Sequence, residues 1–246
     1  MTELTATGIT KSFGGLLAVD DVDIEIRDGE IVGLIGSNGA GKSTLFNCIT
    51  GALEPDSGTI QFNGADITSH SEHEIAQEGI IRVFQEVRVY DEMTALDNML
   101  ASVDHGAETT LSLFRPYSDD VVDRAYALLD RVGIREYADA TPAELNYGHR
   151  KLLELAMALM TDAELLLLDE PAAGLNPTTR TELGALLAEI NEQKTLFVVE
   201  HNMDFVMDVS DRIYVLNNGE LLAKGTPEEV RSDERVQDAY LGGGGE

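Results

Sequence analysis

The sequence predicts an α/β fold with a mainly parallel core sheet and a helical subdomain, and three observations lead there. Ile31 to Ile35 is a nearly continuous apolar run that enters a glycine-rich turn and then a helical pattern. From Leu165 onward, strand patterns alternate with helix patterns, the arrangement that favours parallel pairing. Between these two regions, residues of about 70 to 140 carry amphipathic helical periodicity instead.

Taken in order, the first 65 residues read mostly as strands. Val22, Ile24 and Ile26 alternate with Asp21, Asp23 and Glu25, as a half-buried strand requires, whereas Ile31 to Ile35 has the continuous apolarity of a strand covered on both faces. Lys42 to Thr50 follows as a helix that Gly51 can stop. In the helical stretch the clearest element is Asp119 to Val132, where Val121, Val122, Ala125, Leu128, Leu129 and Val132 form one face and Gly133 can close the end. A loop from Asp104 to Ser118 precedes it. Beyond it come strand Leu165 to Leu168, helix Thr178 to Asn191, strand Thr195 to Val199 and a hairpin turning at Asn217-Asn218-Gly219. The glycine tail Gly242 to Gly245 has nothing to bury and is expected to be disordered. One domain over residues 1–246 is expected, with an α/β core over about 1–85 and 160–246 and the helical part over about 86–159.

Composition narrows the function classes. With 45 acidic against 17 basic residues the net charge is −28, a surface that repels a phosphate backbone and so disfavours nucleic-acid binding. Only five of the basic residues are Lys, and the acidity reads as adaptation to high salt, where counterions screen self-repulsion; an acidic docking surface is the alternative. Cys48 stands alone, so neither a disulfide nor a multi-cysteine metal site can form within the chain, in keeping with a reducing compartment. No stretch approaches the roughly 18 apolar residues of a membrane helix, and the start lacks the pattern of a secretory signal.

Chemistry enters with Gly36-Ser37-Asn38-Gly39-Ala40-Gly41-Lys42-Ser43, which matches G-x-x-x-x-G-K-[ST] between a buried strand and a helix, the context that motif requires. Its glycines let backbone N–H groups wrap an anion at a helix N-terminus. Lys42 should then meet the β- and γ-phosphates of a nucleotide, Ser43 should ligate the Mg²⁺ that bridges them, and Thr44 should face the α-phosphate side. Leu165 to Leu168 delivers Asp169 and Glu170 at a strand's carboxyl end, with Asp169 expected in the Mg²⁺ shell and Glu170 expected to accept the proton of the attacking water. In these features the chain resembles P-loop NTPases.

Further residues carry a resemblance to the ABC ATPase family. Leu145-Asn146-Tyr147-Gly148-His149 lies some 20 residues before Asp169, at the place of that family's Leu-Ser-Gly-Gly-Gln signature. It departs from the pattern at Asn146, Tyr147 and His149; Asn nevertheless caps a helix about as well as Ser. Gln85, in Phe84-Gln85-Glu86, resembles the glutamine loop, and Ala172 to Pro177 resembles the D-loop, with Asn176 where many members have Asp. His201, after strand Thr195 to Val199, is similar to the switch histidine, and Phe13 before Gly14-Gly15 to the aromatic that stacks on adenine. The plain alternatives are a Phe13 buried on an edge strand, an Asn146 that only caps its helix and a structural His201; His70, His73 and His105 read as surface residues. Within the family, Phe13 to Val19, Leu45-Phe46-Asn47, Asp169 to Pro177 and Asp238 to Gly242 resemble the LivG-type subunits of branched-chain amino-acid importers.

The resemblance implies an antiparallel β subdomain beside the core sheet, and ATP with Mg²⁺ as ligands. It makes Gln85 a further contact to Mg²⁺ and the attacking water, and His201 a contact to the γ-phosphate. It also implies a dimer with a second ABC ATPase subunit, in which Asn146, Tyr147, Gly148 and His149 of one subunit close over nucleotide held by the other. Transmembrane permeases and, indirectly, a periplasmic or extracellular binding protein are the implied partners, with the chain at the cytoplasmic face of the membrane and residues 86–98 docking there. A soluble ABC ATPase of repair or translation is the rival reading; such proteins often join two cassettes and move nucleic acid, whereas this chain has one cassette and no basic groove. A lone P-loop GTPase or kinase lacks support, because no Asn-Lys-x-Asp motif is present.

Overall fold

The computed structural model describes residues 3–84, 87–103 and 117–241. Two sheets organise it. A four-stranded antiparallel sheet of order β2-β1-β4-β5 comprises β1 (Glu3–Phe13), β2 (Leu16–Arg27), β4 (Ser57–Phe62) and β5 (Ala65–Asp66). The second sheet, of order β10-β9-β3-β8-β7-β6, contains β3 (Ile31–Gly36), β6 (Ile80–Val83), β7 (Leu165–Asp169), β8 (Thr195–Val199), β9 (Arg212–Asn217) and β10 (Glu220–Gly225). Its strands β9, β3, β8, β7 and β6 are parallel, and only β10 returns antiparallel, through the hairpin expected at Asn217-Asn218-Gly219. Asn218 and Gly219 both have positive φ, 51° and 86°, the conformation a two-residue hairpin turn demands.

Strand burial follows the sequence patterns. β2 alternates buried Val22, Ile24 and Ile26 with outward acidic residues, whereas every residue of β3 is buried. The faces of β3 diverge: Val32 and Leu34 join the core between the two sheets, Ile31 the core on the helical side, and Ile35 a small core under the carboxyl-terminal elements. β7 splits likewise, with Leu165 and Leu167 toward the antiparallel sheet and Leu166 and Leu168 toward the helices.

The helices are α1 (Lys42–Ile49), α2 (Glu72–Gln77), α3 (Ala95–Ala101), α4 (Asp119–Arg131), α5 (Tyr147–Met160), α6 (Pro177–Asn191), α7 (Met203–Val209), α8 (Pro227–Ser232) and α9 (Glu234–Leu241). Gly133, with φ 78°, follows α4 as expected, and the face predicted for that helix packs into the helical-side core. Asn146 and Asn176 cap α5 and α6, and α6 begins one residue before the expected Thr178: Asn146 Oδ1 accepts from the His149 amide at 2.9 Å, and Asn176 Oδ1 from the Thr179 amide at 3.0 Å. Arg131 Nε donates to Glu189 Oε1 at 2.8 Å and ties α4 to α6. Cys48 is buried, and burial pushes its thiol up to about 11, which makes it inert. Among the described residues no helix is long and apolar enough to cross a membrane. The loop 104–116 with His105 and the tail 242–246 lie outside the described residues.

Candidate nucleotide site

The cradle forms where β3 ends and α1 begins. Gly39 and Gly41 have φ of 80° and 102°, and a Cβ on Gly41 would stand 2.3 Å from the Ala18 carbonyl oxygen of β2, so backbone approach as well as turn geometry requires glycine there. Gly36 is pinned in the same way, its missing Cβ falling 2.5 Å from the Leu216 carbonyl oxygen of β9. The β9–β10 turn braces the loop from behind: the Gly219 amide donates to Ala40 O at 2.9 Å, and the Asp20 amide donates to Gly219 O at 2.8 Å. Ser37, Asn38, Gly39 and Ser43 are exposed at the mouth, Thr44 is half-buried, and Ala40 is buried behind them.

Lys42 Nζ turns back into the loop and donates to Gly36 O at 2.7 Å and Ser37 O at 3.2 Å. Burial lowers its pKa, opposed by the carboxylates of Glu170, Glu200 and Asp169. A buried cation inside a ring of amides fits a polyanionic ligand. Ser43, Asp169 and Glu170 offer hard oxygens suited to Mg²⁺, but no cluster of three or more acidic, His or Cys residues forms a cage among the described residues. Mg²⁺ is commonly held by one or two carboxylates together with substrate phosphates.

β7 carries Asp169 and Glu170 to the same end of the sheet. Glu170 adopts φ 48°, a left-handed conformation unfavourable for a non-glycine residue. Its amide donates to Val199 O at 2.8 Å, and its carbonyl accepts Lys151 Nζ from α5 at 2.6 Å. His201, on the turn after β8, places Nδ1 3.6 Å from Glu170 Oε2 and 3.7 Å from Glu200 Oε2. Glu200 is fully buried and accepts the Ala172 amide at 2.8 Å, which fixes the turn after Glu170. The structure thus brings Lys42, Asp169, Glu170 and His201 to one site.

Other predicted residues lie elsewhere. Asn146, Tyr147, Gly148 and His149 line a groove of about 580 Å³ together with Gly174, Leu175 and Asn176, and none of residues 36–44 contributes to it. Tyr147 covers Gly174, where a Cβ would meet its ring at 3.1 Å, so the signature-like and D-loop-like segments pack together. His149 leans on Tyr137 with ring centroids 4.6 Å apart. Phe13 sits on the β1–β2 hairpin and is 46% exposed, so it is not core material, and the Lys11 ammonium stands 5.9 Å from its ring centroid. His73 is exposed and His70 half-buried. Gln85, predicted as a contact to water and Mg²⁺, lies outside the described residues.

Four functional-site neighbours went unread in the sequence: Arg82, Lys151, Glu154 and Glu200. Glu154, one turn along α5 from Lys151, is buried and accepts the amides of Phe84 at 3.3 Å and Arg88 at 3.4 Å, on either side of residue 85. Burial pushes its carboxyl up to about 6. The available signal was the spacing of Lys151 and Glu154, a charged pair set among Leu152, Leu153 and Leu155.

Comparison with known proteins agrees with this geometry. The sequence profile of the ABC transporter family matches residues 19–173, and that of the branched-chain amino acid ATP-binding cassette transporter family matches residues 220–246. The chain is 44% identical, over 97% of its own length and 97% of the relative's, to the high-affinity branched-chain amino acid transport ATP-binding protein LivG of Salmonella typhimurium. Its fold superposes on the crystal structure of an ATP-binding cassette of an ABC transporter in its ADP conformation, with TM-score 0.87 and 34% identity over 98% of this chain and 99% of that one. A dimeric post-hydrolysis cassette bound to ADP and Pi aligns with TM-score 0.76 and 25% identity over 91% of this chain and 98% of that one. A phosphate cradle facing paired carboxylates, a capped signature-like helix and these matches along nearly the whole length leave one conclusion: the chain belongs to the ATP-binding proteins of the ABC transporter family, in the LivG-type branch.

Proposed function

We propose that this chain binds and hydrolyses ATP to drive an importer for branched-chain amino acids, working at the cytoplasmic face of the membrane beneath separate permease subunits. The observation that carries the reading is the meeting of Lys42, Asp169, Glu170 and His201 at the mouth of the cradle, with His201 3.6 Å from Glu170. Amides of residues 37–44 and the Lys42 ammonium bind the triphosphate, and Phe13 offers an exposed face to the base. Ser43 and Asp169, with Gln85, would hold Mg²⁺, which neutralises charge on the phosphates when bound. Glu170 takes the proton of the attacking water, and His201 stands beside it at the γ-phosphate side.

The separation of the signature groove from the cradle supports a sandwich dimer, in which each nucleotide is lidded by Asn146 to His149 of a second subunit, identical or related. ATP favours the closed pair and hydrolysis releases it, so the permeases alternate between two states. An extracellular binding protein would deliver the amino acid. High-salt adaptation accounts for the net charge of −28. The decisive experiment is Glu170→Gln: nucleotide affinity should persist while phosphate release falls by about 10²-fold or more, the scale of a lost general base. Turnover near that of the parent would remove Glu170 from the role.

A further inference from the structure

Arg82 is a charged residue in an otherwise apolar strand, and the sheet register explains where it reaches. β6 is the edge strand beyond β7, with Arg82 opposite Leu167, so Arg82 shares a face with Leu167 and with Asp169 two residues on. That face is the one covered by α1. There the guanidinium lies 4.8 Å from the ring centroid of Phe46 and 4.7 Å from that of Phe84. Its side chain is only 16% exposed and that of Asp169 12%. One terminal nitrogen donates to Asn47 Oδ1 on α1 at 2.8 Å, the other to Asp169 Oδ2 at 2.8 Å, and Nε has no partner.

We propose that Arg82 is a positioning residue for the metal-binding carboxylate: packed against the rings of Phe46 and Phe84 and tied to Asn47 on the cradle helix, it holds one oxygen of Asp169 and thereby sets the plane in which the carboxylate meets the nucleotide's metal ion. The proposal rests on the reading of Asp169 as a metal-shell residue. A guanidinium suits the task because its planar fork fixes two donors at once, whereas a Lys ammonium supplies charge without that geometry. Partners that orient ligating carboxylates in this way matter to metal affinity nearly as much as the ligands do. Arg82 also joins β6, the helix opened by the cradle and the strand bearing Asp169 and Glu170, so the carboxylate keeps its aim relative to the phosphates rather than relative to β7 alone.

The test titrates Mn²⁺ into full-length protein holding a non-hydrolysable ATP analogue, with bound metal read by electron paramagnetic resonance, and measures analogue affinity separately without metal. Arg82→Met should weaken Mn²⁺ binding by about 10- to 100-fold, the range for loss of an orienting partner, while metal-free analogue affinity stays at the parent's value. Arg82→Lys should lie between the two, and Asn47→Ala, which removes the tie to α1 and leaves the bond to Asp169, should weaken Mn²⁺ binding in the same direction by less. Unchanged or tighter Mn²⁺ binding in Arg82→Lys and Asn47→Ala would overturn the proposal even if Arg82→Met failed to fold. A parent protein that holds analogue but no Mn²⁺ would instead refute the metal-shell reading of Asp169 itself.

Discussion

Lys151→Met is the sharpest probe of how the site is held, because it removes a charge and little volume. Lys151 is buried, and its ammonium donates to the carbonyl of Glu170 at 2.6 Å and, more weakly, to that of Pro171 at 3.4 Å. A hydrogen bond from a charged donor contributes about 1.5–3 kcal/mol, and its loss leaves the Glu170 carbonyl short of its strongest donor. Burying the ammonium has its own cost, seen in its lowered pKa, so the net loss of stability should be smaller, about 1–2 kcal/mol. At about 2–4 °C per kcal/mol for a chain of this size, Tm should fall by about 2–8 °C.

Turnover should suffer more than stability. Glu170 sits at φ 48°, a conformation a non-glycine residue keeps only when its surroundings impose it, and the Lys151 bond is one of those impositions. If the carbonyl is released, the turn relaxes and the carboxylate leaves the water it must deprotonate. With about 1.5–3 kcal/mol at stake, kcat should fall by about 10- to 150-fold at little change in KM, since Lys151 does not touch the cradle. The assay is steady-state phosphate release across an ATP series, alongside thermal unfolding. A kcat within about 2-fold of the parent, with Tm lowered as stated, would refute the reasoning and leave Lys151 a purely structural tie.

Lys42→Ala should weaken nucleotide binding itself, through loss of the point charge that pairs with the β- and γ-phosphates; fluorescent-nucleotide titration would read it, and parental affinity would contradict the role. Glu154→Gln tests a buried acid whose pKa is raised by burial to about 6 from an ordinary 4.5. A raised carboxyl contributes stability that is fully present below the unfolded value and lost as pH climbs through about 6; at 1.36 kcal/mol per unit the loss is about 2 kcal/mol. The Gln variant keeps an oxygen for the Phe84 and Arg88 amides, so relative to the parent it should gain about 2 kcal/mol between pH 4.5 and 7.5 in urea unfolding, and a constant difference would refute the assignment. Salt gives the fourth test: with a net charge of −28, the unfolding midpoint should rise steadily from about 0.1 to about 3 M KCl as self-repulsion is screened, and a flat profile would exclude high-salt adaptation.

What could be read in the chain beforehand was local. β3, the glycine turn and α1 follow one another within a short span, and full burial of Ile31 to Ile35 together with a helix start at Lys42 leaves few other arrangements. The hairpin at Asn218-Gly219 was equally legible, since few residue pairs tolerate two positive φ values in succession. Strand order was not, because the neighbours β1 and β4, or β3 and β9, are far apart in sequence and no local pattern names them. The same distance hid Arg82. Within Ile80 to Val83 it looks like an outward residue of a half-buried strand, and its meaning depends on Leu167 across the sheet and Asn47 beneath it. Lys151 and Glu154 look like the solvated stripe of α5; both are buried, Lys151 against the Glu170 carbonyl after β7 and Glu154 against the amides of Phe84 and Arg88.

The Asn218-Gly219 turn has a practical consequence for anyone handling this protein. A short hairpin between two terminal strands is ordinarily the first place chosen for an epitope tag, a fluorescent insertion or the new ends of a permuted chain. Here its glycine amide grips Ala40 and its carbonyl is gripped by Asp20, and a Cβ on the glycine would stand a tight 3.0 Å from the Ala18 oxygen. Lengthening it by a single residue would lift the back wall of the phosphate cradle, so labels belong elsewhere and an insertion scan should find this turn as intolerant as the cradle itself.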